Sequence, residues 1–119
     1  MNTTHIIVTE GRMKHLLPIE DILYVEAVRM YSIFHTKNCA RQYVSTHNLG
    51  KTYQELKNKN FLRVHKSHIV NAAEIKSFQF TRTGKVTLSD NTTISVSQRR
   101  KSELLAYLKK LNRIEKTKA

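Results

Sequence analysis

A chain of 119 residues has room for one domain with a single modest core, and 21 Lys and Arg against 9 Asp and Glu give it a net charge of +12. A balance that basic points to a polyanionic partner, nucleic acid first and an anionic membrane surface second, without specifying a fold. Several classes drop out: no apolar run approaches the roughly 18 residues that span a bilayer, the opening MNTTHIIVTEGR lacks the pattern of a secretory signal, and the single cysteine, Cys39, allows no internal disulfide and fits the reducing cytoplasm.

Strand signals dominate from His5 to Ser97. HIIV (5–8) and KHLL (14–17) flank a turn at Glu10-Gly11-Arg12. Pro18-Ile19-Glu20-Asp21 interrupts the pattern, and ILYVEA (22–27) resumes it as a buried strand. YSIFHT (31–36) and RQYVS (41–45) surround Lys37-Asn38-Cys39-Ala40, which reads as a hairpin loop. A short helix follows, with Asn48 or Thr46 as its cap and Leu49, Tyr53 and Leu56 on one face, weakened by Gly50.

The next eleven residues, FLRVHKSHIVN (61–71), are the most informative of the chain. Phe61, Val64, Ile69 and Val70 are strand formers that need burial. Between them Arg63, His65, Lys66, Ser67 and His68 form a dense set of cationic and hydrogen-bonding groups. Anchored on both sides, such a segment holds Lys66 at a fixed place on the surface, as a reader of phosphates or base edges requires. The bland alternative is a solvated strand–loop–strand whose charges only keep the protein soluble.

Three strands come after it, Ile75–Phe80, Lys85–Leu88 and Thr93–Ser97, joined through Arg82-Thr83-Gly84 and Ser89-Asp90-Asn91. From Gln98 the period changes to a helix: Leu104, Leu105, Leu108 and Leu111 form an apolar stripe among Arg99, Arg100, Lys109 and Lys110. The reading is a mainly antiparallel β domain over residues 1–111, with a short mid-chain helix and a basic C-terminal helix. Residues 112–119 read as a polar, frayed tail. No pair of helices joined by a short turn is present, so a DNA reader built this way works through loops or strands.

These motifs resemble the LytTR family of bacterial DNA-binding domains, over about Ile6 to Leu108. The landmarks occur in order: IEDILYVEA (19–27), a hairpin, Asn48-Leu49 opening a helix, the 61–71 motif, Ile75, Gly84-Lys85-Val86, Leu88 and Ile94-Ser95-Val96-Ser97. The resemblance implies an elongated β domain that inserts loops into successive major grooves of duplex DNA. It further implies a transcriptional role as the output domain of a two-component response regulator, with two copies on imperfect direct repeats in a promoter. A receiver domain is absent from this chain, which fits either an excised output domain or a stand-alone regulator. The resemblance implies no cofactor, no catalysis and no membrane partner.

Base contacts in the family come from three loops. In the first, Ser32 is the nominal match and Arg29 the chemically stronger candidate. In the second, Lys66 takes a position where Arg or Asn is more usual; Lys is a point donor and cannot make a planar two-pronged contact. In the third, the match falls on Gln98, where many members carry Arg, with Arg99 and Arg100 next. Gln pairs with adenine N6 and N7, so the departure bears on the base preferred. Lys51, Arg63, Arg100 and Lys101 read as phosphate clamps, with His65 and Ser67 adding contacts from the turn.

Rival chemistry is weaker. His65 and His68, three apart, would point to opposite faces of a strand, with no Cys or carboxylate beside them to complete a zinc set. Ser67 with His65 lacks an oxyanion loop and an orienting acid. Glu20, Asp21 and Glu26 could be imagined as the metal cluster of a nuclease, but read better as turn-capping and half-buried structural acids. Cys39, beside Lys37 and Arg41, could sense oxidants only with a lowered pKa. A single-strand RNA- or DNA-binding sheet would need exposed aromatics; Tyr24, Tyr43, Phe78 and Phe80 are available, and alternation is expected to bury most of them. A pure dimerisation module is the remaining alternative.

Overall fold

Consecutive apolar residues in the middle of the chain, such as Ile22-Leu23 and Ile69-Val70, give a sheet that is apolar on both faces, and the rest of the molecule covers it. The computed structural model describes residues 4–37, 41–80 and 84–118, with side chains as far as Lys110. Cys39 and most of the predicted turn at 82–84 therefore lie outside the described residues. The strands are β1 (His5–Glu10), β2 (Met13–Pro18), β3 (Ile22–Val28), β4 (Tyr31–Thr36) and β5 (Gln42–Ser45). Helix α1 (Leu49–Leu56) precedes β6 (Phe61–His65) and β7 (His68–Asn71). Then come β8 (Ile75–Phe80), β9 (Gly84–Leu88), β10 (Thr93–Val96) and helix α2 (Gln98–Lys118). The molecule measures 49 × 35 × 25 Å along its principal axes, in keeping with the elongated shape expected.

β5-β4-β3-β7-β6 form a five-stranded antiparallel sheet, β10-β9-β8 a three-stranded one, and β1-β2 a hairpin. Gly11, with φ +60°, supplies the left-handed position in the β1–β2 turn that a side chain rarely adopts. On one face of the central sheet, Ile22, Val25, Phe34, Phe61 and Ile69 pack with Leu49 and Leu56 of α1 and with Val8 and Leu17 of the hairpin. On the other, Leu23, Val64 and Val70 pack with Val86, Leu88, Ile94 and Val96 of the small sheet and Leu104 of α2. An irregularity between Ile22 and Tyr24 resets the alternation, so that Ile22 and Val25, three apart, share a face.

Asn48 is the cap of α1: its side chain accepts from Lys51 N at 2.8 Å. α2 departs from expectation. Its backbone stays helical through Lys118 and takes in residues 112–118, which the sequence assigned to a polar tail. The segment contains neither Gly nor Pro, and its Lys, Arg and Glu residues are good helix formers.

Two polar contacts tie the layers together. Glu74 accepts from Lys37 Nζ at 3.1 Å and from Ser89 Oγ at 2.6 Å. Burial alone would raise its carboxyl pKa, but these two donors hold it below its ordinary value. Asn71, buried at the end of β7, donates from Nδ2 to Ile22 O at 2.8 Å and accepts from Ala73 N at 3.1 Å. Replacing it by Ala strands a buried carbonyl and a turn amide. Asn71→Ala is expected to cost about 1–3 kcal/mol, read as a lowered denaturant midpoint with an unchanged slope.

Candidate nucleic-acid interface

Three chain segments singled out by sequence come to one end of the central sheet, and backbone hydrogen bonds put them there. β3 and β4 meet in a two-residue turn, Arg29-Met30, closed by the Val28–Tyr31 pair. β6 and β7 meet at Lys66-Ser67, closed by the His65–His68 pair. Because β3 runs antiparallel to β7, with Glu26 opposite His68, both turns lie at the same end, and Ala27 N donates to Ser67 O at 2.8 Å. On the far side of β6, Ser97 N donates to Val64 O at 2.8 Å, which brings the start of α2 into line. At a strand spacing of about 4.8 Å, neighbouring turns stand about 10 Å apart and the whole row spans roughly 15–20 Å.

The turn that carries Lys66 is braced from below. Arg63 Nη2 donates to Lys66 O at 2.8 Å, and Nε reaches toward His65 O at 3.4 Å. Ser67 N donates to His65 Nδ1 at 3.1 Å, which leaves the proton of a neutral His65 on Nε2. With its backbone held this way, Lys66 projects an exposed ammonium. Arg63, expected from sequence to clamp a phosphate, here braces the Lys66 turn. Burial lowers its pKa first, the neighbouring Arg100 lowers it further, and Tyr53 opposes both.

At the third position Gln98 and Arg99 are exposed on the first turn of α2, and Arg100 and Lys101 are half-buried behind them. Lys101 Nζ lies 5.4 Å from the Phe80 ring centroid. The first turn of α2 contains no acidic residue, so the positive end of its dipole adds to the edge unopposed there. Arg29 is exposed in its turn and adopts φ +56°, unusual for a residue other than Gly. Lys51 is exposed in the first turn of α1, next to Thr52, whose hydroxyl is bonded to β4 near this end.

Ser32 is corrected by the structure. It has no exposed surface; its hydroxyl donates to His47 O at 2.8 Å and accepts from Thr52 Oγ1 at 3.1 Å. On β4 this position faces α1, so Ser32 fastens helix to sheet and cannot reach a base edge. Of the two candidates in the first loop, Arg29 is the exposed one.

The His65–His68 spacing argument also fails. A turn separates them, so they are cross-strand partners with rings 5.6 Å apart, on one face. Glu26, bonded to His35 Nε2 at 2.7 Å, and Tyr24, stacked on His35, lie nearby. Among the described residues no group of three or more His, Cys, Asp or Glu is arranged to hold a metal ion. His68 Nδ1 is buried without a partner. Burial lowers the His68 pKa below 6.5, Glu26 opposes the shift, and His65 and His35 add to it. Of the four aromatics of the single-strand reading, Phe78 is 49% exposed and lies with its ring 5.3 Å from that of Phe80 on β8, while Tyr24, Tyr43 and Phe80 are half-buried on three different strands.

The sequence model of the LytTr DNA-binding domain matches residues 12–109. Among solved structures, the fold is similar to the LytTr DNA-binding domain of a protein described as a methyl-accepting/DNA response regulator from Bacillus cereus. The TM-score is 0.73 at 19% identity, covering 90% of this chain and 98% of that one. No curated protein matches the sequence significantly.

Two outcomes follow from this geometry. Ser32→Ala is expected to lower stability by about 1–2 kcal/mol, seen as a lower thermal midpoint. His68 stays neutral in the fold below the pH at which it protonates in the unfolded chain, so the unfolded state takes up the extra proton. Stability therefore falls as pH drops from 6.5 toward the lowered folded pKa, and His68→Phe should flatten that part of the profile.

Proposed function

Because the chain belongs to the LytTR family of DNA-binding domains, we propose that it reads specific sequences in duplex DNA through the row of turns at the end of its central sheet. The observation that carries this reading is the alignment of Arg29, Lys66 and Gln98-Arg99 on one edge by the Ala27–Ser67 and Ser97–Val64 hydrogen bonds. A row of roughly 15–20 Å is wider than one major groove of about 12 Å, so its two ends meet the duplex on either side of a phosphate ridge.

In this arrangement Lys66 donates to guanine O6 or N7, and Gln98 or Arg99 reads a second base. Lys51, Arg63, His65, Ser67, Arg100 and Lys101 hold the backbone between. The chain works without a cofactor and without catalysis, in the cytoplasm where the DNA is. It acts as the output domain of a response regulator, two copies side by side on imperfect direct repeats of a promoter. A plasmid left uncut with Mg²⁺ or Mn²⁺ supports the non-enzymatic reading, and a nicked one overturns it.

If about six phosphates are neutralised, log affinity falls against log salt with a slope near −5. A slope near zero contradicts the account. Lys66→Ala is expected to weaken binding to the preferred duplex by about 1–3 kcal/mol and to relax the preference at one base. An equal loss on random duplex would make Lys66 a phosphate contact. Arg63→Lys conserves charge but loses the fork under the Lys66 turn, so it should weaken specific binding more than random binding in the same titrations.

A further inference from the structure

The tip of the β3–β4 hairpin is apolar where the rest of the reading edge is cationic. Met30 is 77% exposed, and Tyr31 and Val28, the pair that closes the turn, are 47% and 40% exposed. Met30 occupies one of the two turn positions, with Arg29 at φ +56° beside it. Exposed turns ordinarily carry Gly, Asn or Asp, which adopt such backbone at little cost. This turn instead has Arg29 at positive φ and leaves a large apolar side chain, Met30, in water. The hairpin is fixed from both sides, by the β3–β7 pairing and by the Ser32 contacts with His47 and Thr52. Met30 is therefore held at a set position in line with Lys66, rather than tucked against the domain.

A phosphate backbone offers such a side chain nothing. In the major groove, the apolar feature of the base edges is the C5-methyl group of thymine. We infer that Met30 is a sequence reader, and that its thioether side chain packs on a thymine methyl while Arg29 bonds a neighbouring base or phosphate. The inference rests on the duplex-reading function proposed above and adds a thymine requirement under the first turn. Methionine suits the task, because a flexible, polarizable chain adapts to a methyl group whose position shifts with local twist.

The test uses the preferred duplex selected by this chain from a random library. Each thymine is replaced in turn by deoxyuridine, which removes the methyl and leaves pairing and hydrogen bonding alone. The parent protein is expected to lose affinity about fourfold at one or two positions, the factor for one methyl group returned to water. Met30→Ala should bind the parent duplex about as weakly as the parent protein binds the deoxyuridine duplex, and should show no further loss at those positions. Met30→Leu should retain most of the discrimination. Because Met30 is exposed, neither variant threatens the fold. Insensitivity of the parent protein to every replacement overturns the inference, as does a Met30→Ala variant that still senses the same methyl. In both cases duplex binding itself stands. Failure to select any duplex at all overturns the proposed function, and this inference with it.

Discussion

One backbone hydrogen bond, from Ser97 N to Val64 O, fixes where the start of α2 meets the edge of β6, and with it the place of the third segment in the row. The five-stranded sheet brings together two of the turns through its own pairing. The third segment belongs to the small sheet and α2, which pack on Val64 through Val86, Ile94, Val96 and Leu104, and the bond sets where along β6 that segment lies. The bond falls at an irregularity between Arg63 and His65, where regular pairing with β7 lapses and the Val64 carbonyl is free to accept from the other side. The same irregularity places Arg63 beneath the Lys66 turn. One local departure from ideal strand geometry therefore joins the two sheets and braces the central turn.

The packing makes that edge stiff. Val64, fully buried, stands among Val70, Val86, Ile94, Val96 and Leu104, so the residue that accepts from Ser97 is itself fixed by both sheets and α2. On the opposite face Ser32 and Thr52 fasten α1 to β4 close to the first turn. Readers on short turns of rigid strands lose little conformational freedom when they bind, which favours discrimination over mere attraction. The cationic groups come from four elements: the β3–β4 turn, α1, the β6–β7 hairpin and α2. In the proposed reading, affinity is thus distributed, while discrimination rests on a few side chains.

Much of this was legible in the sequence because alternation and turn chemistry act locally. YSIFHT (31–36) is β4 to the residue, and Asn48 caps α1 as its position before Leu49 allowed. The antiparallel, mainly β architecture and the family resemblance follow from the same residues. What eluded the sequence depended on long-range placement. Ser32 looked available because it follows the hairpin turn, but its face is set by β4 packing under α1. His65 and His68 were separated by a rule for continuous strands, although a turn intervenes and makes them partners. The extent of α2 past Leu111 has no terminating signal to mark it. Phe78 is 49% exposed on β8, an edge strand of the small sheet whose residues from Lys76 to Gln79 are all exposed. Arg63 read as one more surface charge, since its bonds to the turn carbonyls arise only once the hairpin closes.

The central claim is that one row of turns, set by two backbone hydrogen bonds, is the surface that meets duplex DNA. The most direct measurement is a titration of ¹⁵N-labelled protein with its preferred duplex, following each backbone amide by NMR. The account predicts that the largest shifts fall on the amides of 29–31, 65–68 and 97–101 and move together with one affinity. Shifts centred instead on the β1–β2 hairpin around Ile7 and Leu16, or on β8 around Phe78, with the row of turns unmoved, would contradict it.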